Sequence, residues 1–419
     1  VAAVGDDLAV RGRAAQRALA RLGRAPKDAA LHAIAGSIRD RRPAILAANR
    51  ADVEQGRADG LSAALLDRLT LDDARVEALA EAAAAVAALP DPCGEVDAGW
   101  RLDNDLDVTR VRVPLGRVLV VYEARPNVTI DVAALCLKSG NVAILRGSRS
   151  AQATNAALLE AVHDGLDATG VPLDAVIAIA ASHEELAELV SDAGNADVVV
   201  PRGGERLKDF LLEHARIPVL AAAGGNCHVY VDATADPAMA ERIAVNAKTH
   251  RPGVCNAAET LLVHAAAADA VLPRVLAELH RRGVELRGCD RTRTLAATTP
   301  VRPADDDDYA TEFLDLVLAI RVVDSIDDAI EHIARFATGH SEAIVTASLA
   351  AADRFTREVD SACVYVNAST RFTDGGEFGF GAEIGNSTSR LHVRGPIGLR
   401  DLTTTKYVVR GDGQIRGED

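Results

Sequence analysis

Hydrophobic positions change their spacing along the chain, and each change marks a change of architecture. Over residues 1–90 apolar side chains recur every three or four residues, as in "DAALHAIAGSIRDRRPAILAANRADV" and "DARVEALAEAAAAVAAL", which predicts amphipathic helices. The "LPDPCG" stretch at 89–94 ends the last of them. "VTRVRVPLGRVLVVYEARPN" (108–127) then alternates, turns at Pro-Leu-Gly and enters a solid apolar strand. Beyond it, "VAILR" (142–146), "VIAIA" (176–180), "DVVVP" (197–201) and "HVYVD" (228–232) are separated by helical stretches. The alternation resumes after residue 255 with "TLLVH", "LVLAIRVV", "EAIVT" and "ACVYVN". Continuous apolar runs alternating with helices predict parallel sheets covered on both faces, here in two successive α/β units. Residues 369–398 are rich in glycine and polar side chains, and "TTTKYVV" reads as a closing strand. The run "DDDD" at 305–308 reads as a solvated loop.

The 419 residues are enough for two or three domains. Aromatic residues are only 3%, so alanine, valine and leucine must supply most of the packing. A formal net charge of -15 argues against a nucleic-acid partner, because phosphate neutralisation needs a basic face. The six cysteines form no C-x-x-C pair and match no zinc spacing, so no metal is expected. The N-terminal stretch does not read as a signal peptide, and no apolar run reaches the ~18 residues that span a bilayer. The expectation is a cytoplasmic protein with reduced thiols and no membrane contact.

Cys255 in "HRPGVCNAAETLLVH" lies just ahead of an apolar run rather than inside it. A Pro-Gly turn precedes it, "KTHR" lies upstream, and it falls near the junction of the two α/β units. Nearby cations lower a thiol's pKa and generate the reactive thiolate. On these features alone a packing cysteine and a nucleophile both remain open. "YEARPNVTIDVAALCLKSGNVAILRGSRSA" (122–151) places a Gly/Ser/Arg loop after a buried strand, and "PRGGERL" (201–207) places a second. Neither is a G-x-G-x-x-G, but two such loops with arginines after parallel strands favour a dinucleotide site over plain connectors.

The segments "VPLGRVLVVYEARPNVTIDVAALCLKSGNVAILRG", "PRGGERL", "NCHVYVD", "NAKTHRPGVCNAAETLLVH", "TGHSEAIVT", "VNASTRF" and "GFGAEIGNSTSRLHVRGPIGLRDLTTTKYVV" resemble the gamma-glutamyl phosphate reductase family of the aldehyde dehydrogenase superfamily. They run in family order from about residue 10 to the C-terminus. The resemblance implies an aldehyde dehydrogenase-like α/β fold, with two parallel-sheet domains and a small β oligomerisation element. Residues 1–99 and 115–249 would form the cofactor-binding domain with N-terminal helices, and 250–384 the catalytic domain. Residues 100–114 and 385–419 would form the oligomerisation element of a homodimer or homotetramer.

The resemblance also implies NADPH-dependent reduction of L-glutamate 5-phosphate to L-glutamate 5-semialdehyde and phosphate through a cysteine thioester. Contact with glutamate 5-kinase, which makes that labile substrate, is a further expectation. Cys255 matches the nucleophile, and Asn127 matches the asparagine that helps hold the oxyanion. Arg146, Gly147, Ser148 and Arg149, with Pro201, Arg202, Gly203 and Gly204, match the cofactor loops. Arg149 stands where NAD-preferring relatives carry a glutamate, which favours NADPH. Glu312 matches the glutamate on the nicotinamide ribose. Glu259, Ser369, Thr370 and Arg371 are candidates for binding substrate. Ala222 stands at about the place of the water-activating glutamate of aldehyde-oxidising relatives, as suits a reductase. The alternatives are another cysteine-dependent aldehyde or acyl-phosphate oxidoreductase, or a non-catalytic nucleotide-binding relative.

Overall fold

The computed structural model describes residues 4–221 and 224–417. In chain order the strands are β1 Val96–Arg101, β2 Asp107–Pro114, β3 Arg117–Tyr122, β4 Val142–Arg146, β5 Val176–Ala178, β6 Val198–Arg202, β7 Cys227–Val231 and β8 Ala258–His264. They continue as β9 Glu285–Gly288, β10 Arg302–Pro303, β11 Val317–Val323, β12 Ser341–Val345, β13 Cys363–Val366, β14 Asn386–Ser387, β15 Gly395–Pro396 and β16 Thr403–Arg410.

Two compact units contain these strands. The first comprises Val1–Ala221, Gly379–Gly385 and Ile397–Asp419, and the second Ala222–Phe378 and Asn386–Pro396. In the first unit β5-β4-β3-β6 form a parallel sheet, and β1-β2-β16 form an antiparallel one. In the second unit β10-β9-β11-β8-β7-β12-β13 form a parallel sheet of seven strands.

The continuous apolar runs became the central strands for the expected reason. β3, β7 and β12 are buried at every residue, so both faces are covered. The second unit's larger core packs Val229, Leu261, Ile320 and Ala343 against Val271, Leu272, Val275 and Leu276 of the helix Ala265–Arg281. In the first unit the long helical pattern splits into Arg24–Asp40 and Arg42–Ala58. Pro43, which lacks an N–H, sits in the first turn of the second helix, where no intrahelical bond is lost.

Three expectations differ from what is observed. The division between units falls at Ala221/Ala222 rather than at 249/250, because β7 hydrogen-bonds to β8 and β12 of the second sheet. The segment 385–419 is not one element: Asn386–Pro396 belongs with the second unit and Ile397–Asp419 with the first. The run 305–308 is not a plain loop. Asp305 and Asp308 cap each other's backbone N–H in a capping box that opens the helix Asp306–Ala310. Acidic residues in a first turn also complement the helix dipole.

Candidate active site

In the second unit Cys255 lies between the helix Pro237–Thr249 and β8, and its side chain is exposed. The residues around it fix its backbone tightly. Gly225 approaches so closely that a Cβ on it would stand 1.4 Å from the Cys255 carbonyl oxygen. Only glycine fits there. The Cys227 thiol donates to that same carbonyl at 3.1 Å. Burial holds the Cys227 pKa well above its ordinary value, so this sulfur remains a protonated donor.

Asn256, the next residue, is clasped by the loop after β13. Its Nδ2 donates to the Thr373 carbonyl at 2.9 Å and to the Arg371 carbonyl at 3.4 Å. Thr370 Oγ1 returns a bond to the Asn256 carbonyl at 2.7 Å. Ser369 caps the short helix Thr370–Phe372 by accepting from Arg371 N–H. The fold therefore brings Ser369, Thr370 and Arg371 to Cys255, although Ser369 and Thr370 are themselves buried. Arg371 is half-buried, and its pKa is lowered by burial and by Arg251, against an opposing pull from Cys255. Among the described residues neither Arg251 nor Arg371 forms a salt bridge with a carboxylate. Arg371 also feels the Asp374 carboxylate, and the guanidinium groups of Arg251 and Arg371 near the thiol suit an anionic ligand. Arg251 was visible in "KTHR" but was not singled out.

Glu312 reaches the same region. Its Oε1 accepts the Gly225 N–H at 2.6 Å, immediately behind the cysteine loop. Glu259 does not line the site as expected. It is fully buried, its Oε2 paired with Lys248 Nζ at 2.5 Å and its Oε1 accepting Leu314 N–H at 3.1 Å. Burial pushes its carboxyl up to about 7 and lowers the Lys248 ammonium. A side chain with both oxygens engaged inside the core has no substrate to bind. Ala222 lies outside the described residues.

In the first unit the expected cofactor loops leave the carboxyl ends of β4 and β6, where open α/β sheets bind ligands. They border a cleft of ≈ 730 Å³ whose lining includes Arg146, Ser148, Arg149, His183, Arg206 and Phe210. Arg146 donates to the Ala181 carbonyl at 3.0 Å, and burial lowers its pKa. Ser148 accepts from Ser150 N–H and opens the short helix Arg149–Ala151. Among the described residues, Arg146, Arg149 and Arg206 form no salt bridge with a carboxylate, although Glu123 and Glu184 line the same cleft. A glycine in each loop is closely packed: a Cβ on Gly147 would meet Asn155 Nδ2 at 2.2 Å, and one on Gly203 would meet the Glu123 carboxylate. Glu123 accepts from Gly204 N–H at 3.4 Å. Pro201 is buried in β6 beside Val121, while Arg202 pairs with Tyr122 and projects its charge toward Asp131. Arg206 lies within the quoted "PRGGERL" but was not singled out, and sequence reasoning missed His183 and Phe210.

Asn127 begins the helix Asn127–Lys138 and is exposed. Its Nδ2 donates to Asp131 Oδ2 at 2.9 Å, which leaves one amide hydrogen for a further acceptor. Burial pushes Asp131 up to about 6.

An exposed cysteine on a glycine-backed loop, in a chain with a separate arginine-bearing cleft at the carboxyl ends of parallel strands, suits a thiol-dependent nicotinamide oxidoreductase. The chain belongs to the aldehyde dehydrogenase family, whose model matches residues 10–298. That family uses a nicotinamide cofactor. Within it the likeness is to gamma-glutamyl phosphate reductases. The enzyme of that name from Thermobifida fusca (strain YX) is 53% identical over 410 residues, 98% of each chain. The crystal structure of the Thermotoga maritima enzyme superposes with a TM-score of 0.94 at 46% identity, covering 98% of this chain and 99% of that one. A propionaldehyde dehydrogenase from Rhodopseudomonas palustris shares the fold at a TM-score of 0.70 and 14% identity, with 96% of each chain covered.

If Gly225 fixes the Cys255 backbone, Gly225→Ala should lower turnover by ~100-fold or more, since displacements near 1 Å cost that much. Steady-state kinetics on the folded variant would measure it, and near-native turnover would remove the constraint.

Proposed function

We propose that this chain reduces L-glutamate 5-phosphate to L-glutamate 5-semialdehyde with release of phosphate, the second step of proline biosynthesis. The observation that carries the reading is the Cys255 loop: an exposed thiol on a rigid backbone beside Arg251 and Arg371. The Cys255 thiolate attacks the acyl carbon, the C–O bond to phosphate breaks, and a thioester remains. A nicotinamide cofactor, when bound, supplies the two electrons that take the thioester to the aldehyde oxidation level. Collapse then breaks the C–S bond and restores the thiolate. Negative charge gathers on the acyl oxygen at both tetrahedral stages, where the Cys255 N–H is a donor and the family resemblance assigns a second to Asn127. Removing one such donor typically costs ~3 kcal/mol in the transition state. Arg371, with Ser369 and Thr370 shaping its loop, binds an anionic end of the substrate.

The cofactor is NADPH in this reading. The pyrophosphate would sit on the two loops that carry Gly147 and Gly203. Arg149, with Arg146 and Arg206 in the same cleft, offers the positive charge that a 2′-phosphate requires. Glu312 holds the nicotinamide ribose.

Self-association as a homodimer or homotetramer is supported by the β1-β2-β16 sheet, which exposes Val96, Trp100, Tyr407 and Val409. Contact with glutamate 5-kinase belongs to the same reading, because an acyl phosphate hydrolyses readily in water. No helix among the described residues is long and apolar enough to cross a membrane, in keeping with a cytoplasmic setting.

The deciding experiment runs the reaction backwards, because the acyl phosphate is labile. Glutamate semialdehyde with NADP+ should yield NADPH only when phosphate is present, and Cys255→Ala should abolish the signal. Formation without phosphate would mean that water takes the thioester, and the reading would fall. Arg149→Glu should raise the KM for NADP+ by ~10-fold or more relative to NAD+, the size of one lost charge-assisted contact. An unchanged ratio would move the 2′-phosphate elsewhere. Sedimentation tests the partners: Tyr407→Asp should lower the assembly mass, and sedimentation independent of added kinase would remove that contact.

A further inference from the structure

The segment carrying Glu312 is fastened on both sides of Cys255. Behind the cysteine, Glu312 Oε1 accepts the Gly225 N–H at 2.6 Å, and Gly225 lies against the Cys255 carbonyl. Ahead of it in sequence, Glu259 lies on β8, the strand that leaves the Cys255 loop, and its Oε1 accepts the Leu314 N–H at 3.1 Å. Leu314 has φ +54°, a left-handed conformation that branched and bulky residues avoid unless their surroundings impose it. The remaining Glu259 oxygen is bound to Lys248, and both side chains are fully buried.

Such a pair is a poor source of stability. Burying two charges costs several kcal/mol per ion, and apolar replacements of similar volume are often neutral or stabilising. What an apolar pair would not provide is an acceptor at Leu314. We propose that Lys248–Glu259 is a positioning device that holds Leu314 in its left-handed turn and so sets Glu312 against the Cys255 loop. The proposal rests on the roles assigned above to Glu312 and Cys255. Lys248 fixes the carboxylate through Oε2, Glu259 delivers Oε1 to the turn, and Glu312 is placed two residues earlier. Neither Lys248 nor Glu259 touches substrate. The pair acts only through the loop.

Two double variants isolate the acceptor from the charge. Lys248→Met/Glu259→Gln removes both charges but keeps a side-chain oxygen for Leu314 N–H. Lys248→Met/Glu259→Leu removes the oxygen as well. The first should turn over within ~3-fold of the parent and the second ~10-fold or more slower, a loss in kcat that small misplacements of a site produce. Adding Glu312→Gln to the leucine variant should cost little further, because both changes disable one unit. Hydrogen exchange of residues 312–316, which needs no turnover, should quicken in the leucine variant only. Equal kcat and equal exchange in the two double variants, with thermal midpoints showing both folded, would overturn the proposal. Should Cys255→Ala retain turnover, the catalytic reading falls instead, and the exchange contrast still decides the positioning role.

Discussion

The contact on which the catalytic unit depends is one of backbone on backbone, Gly225 against the carbonyl of Cys255. No side chain can occupy that space, so the approach to β7 and the loop before β8 are set in register by exclusion. The other local bonds exploit that closeness. Glu312 takes the N–H of Gly225, the Cys227 thiol takes the Cys255 carbonyl, and the 370–373 loop takes Asn256 from the opposite side. A cysteine ahead of a strand, rather than within it, is thereby held rigidly while its sulfur stays exposed. A rigid backbone with an exposed thiol is what a nucleophile requires.

The two units meet the same electrostatic problem by the same means. Each must attract an anion in a chain with excess acid. In the first unit Arg146, Arg149 and Arg206 line a cleft without salt-bridge partners among the described residues, and in the second Arg251 and Arg371 stand by the thiol. Elsewhere many arginines are neutralised, as Arg117 is by Asp197 and Arg287 by Asp308.

Much of the fold was legible because apolar runs report burial directly. "VAILR" corresponds to β4, and the runs around 228–232, 316–323 and 342–346 fall within a residue or two of β7, β11 and β12. The acidic run at 305–308 was misjudged because charge suggests solvent, whereas reciprocal capping depends on a three-residue interval between Asp305 and Asp308. Cys255 could be suspected from its turn and neighbours. Glu259 could not be placed, since its environment is made by Lys248 and Leu314, one of them 55 residues away in sequence. His183 and Phe210 were missed for a related reason. They reach the cleft from helices whose sequences look like any amphipathic surface, and only the strand order brings them together.

The unpaired arginines also bear on how ligands arrive. A body with formal charge -15 repels phosphorylated molecules at a distance, whereas the guanidinium groups proposed to bind them would act at contact. Mobile ions act unequally on these two forces. At an ionic strength of ~0.1 M the screening length is about 10 Å, so the distant repulsion fades while partly enclosed guanidinium groups are screened much less. Moderate salt therefore lowers the long-range barrier to encounter before it weakens the grip. Only well above that strength does retention begin to suffer, and the acidic exterior works as a filter that ordinary cellular salt holds open.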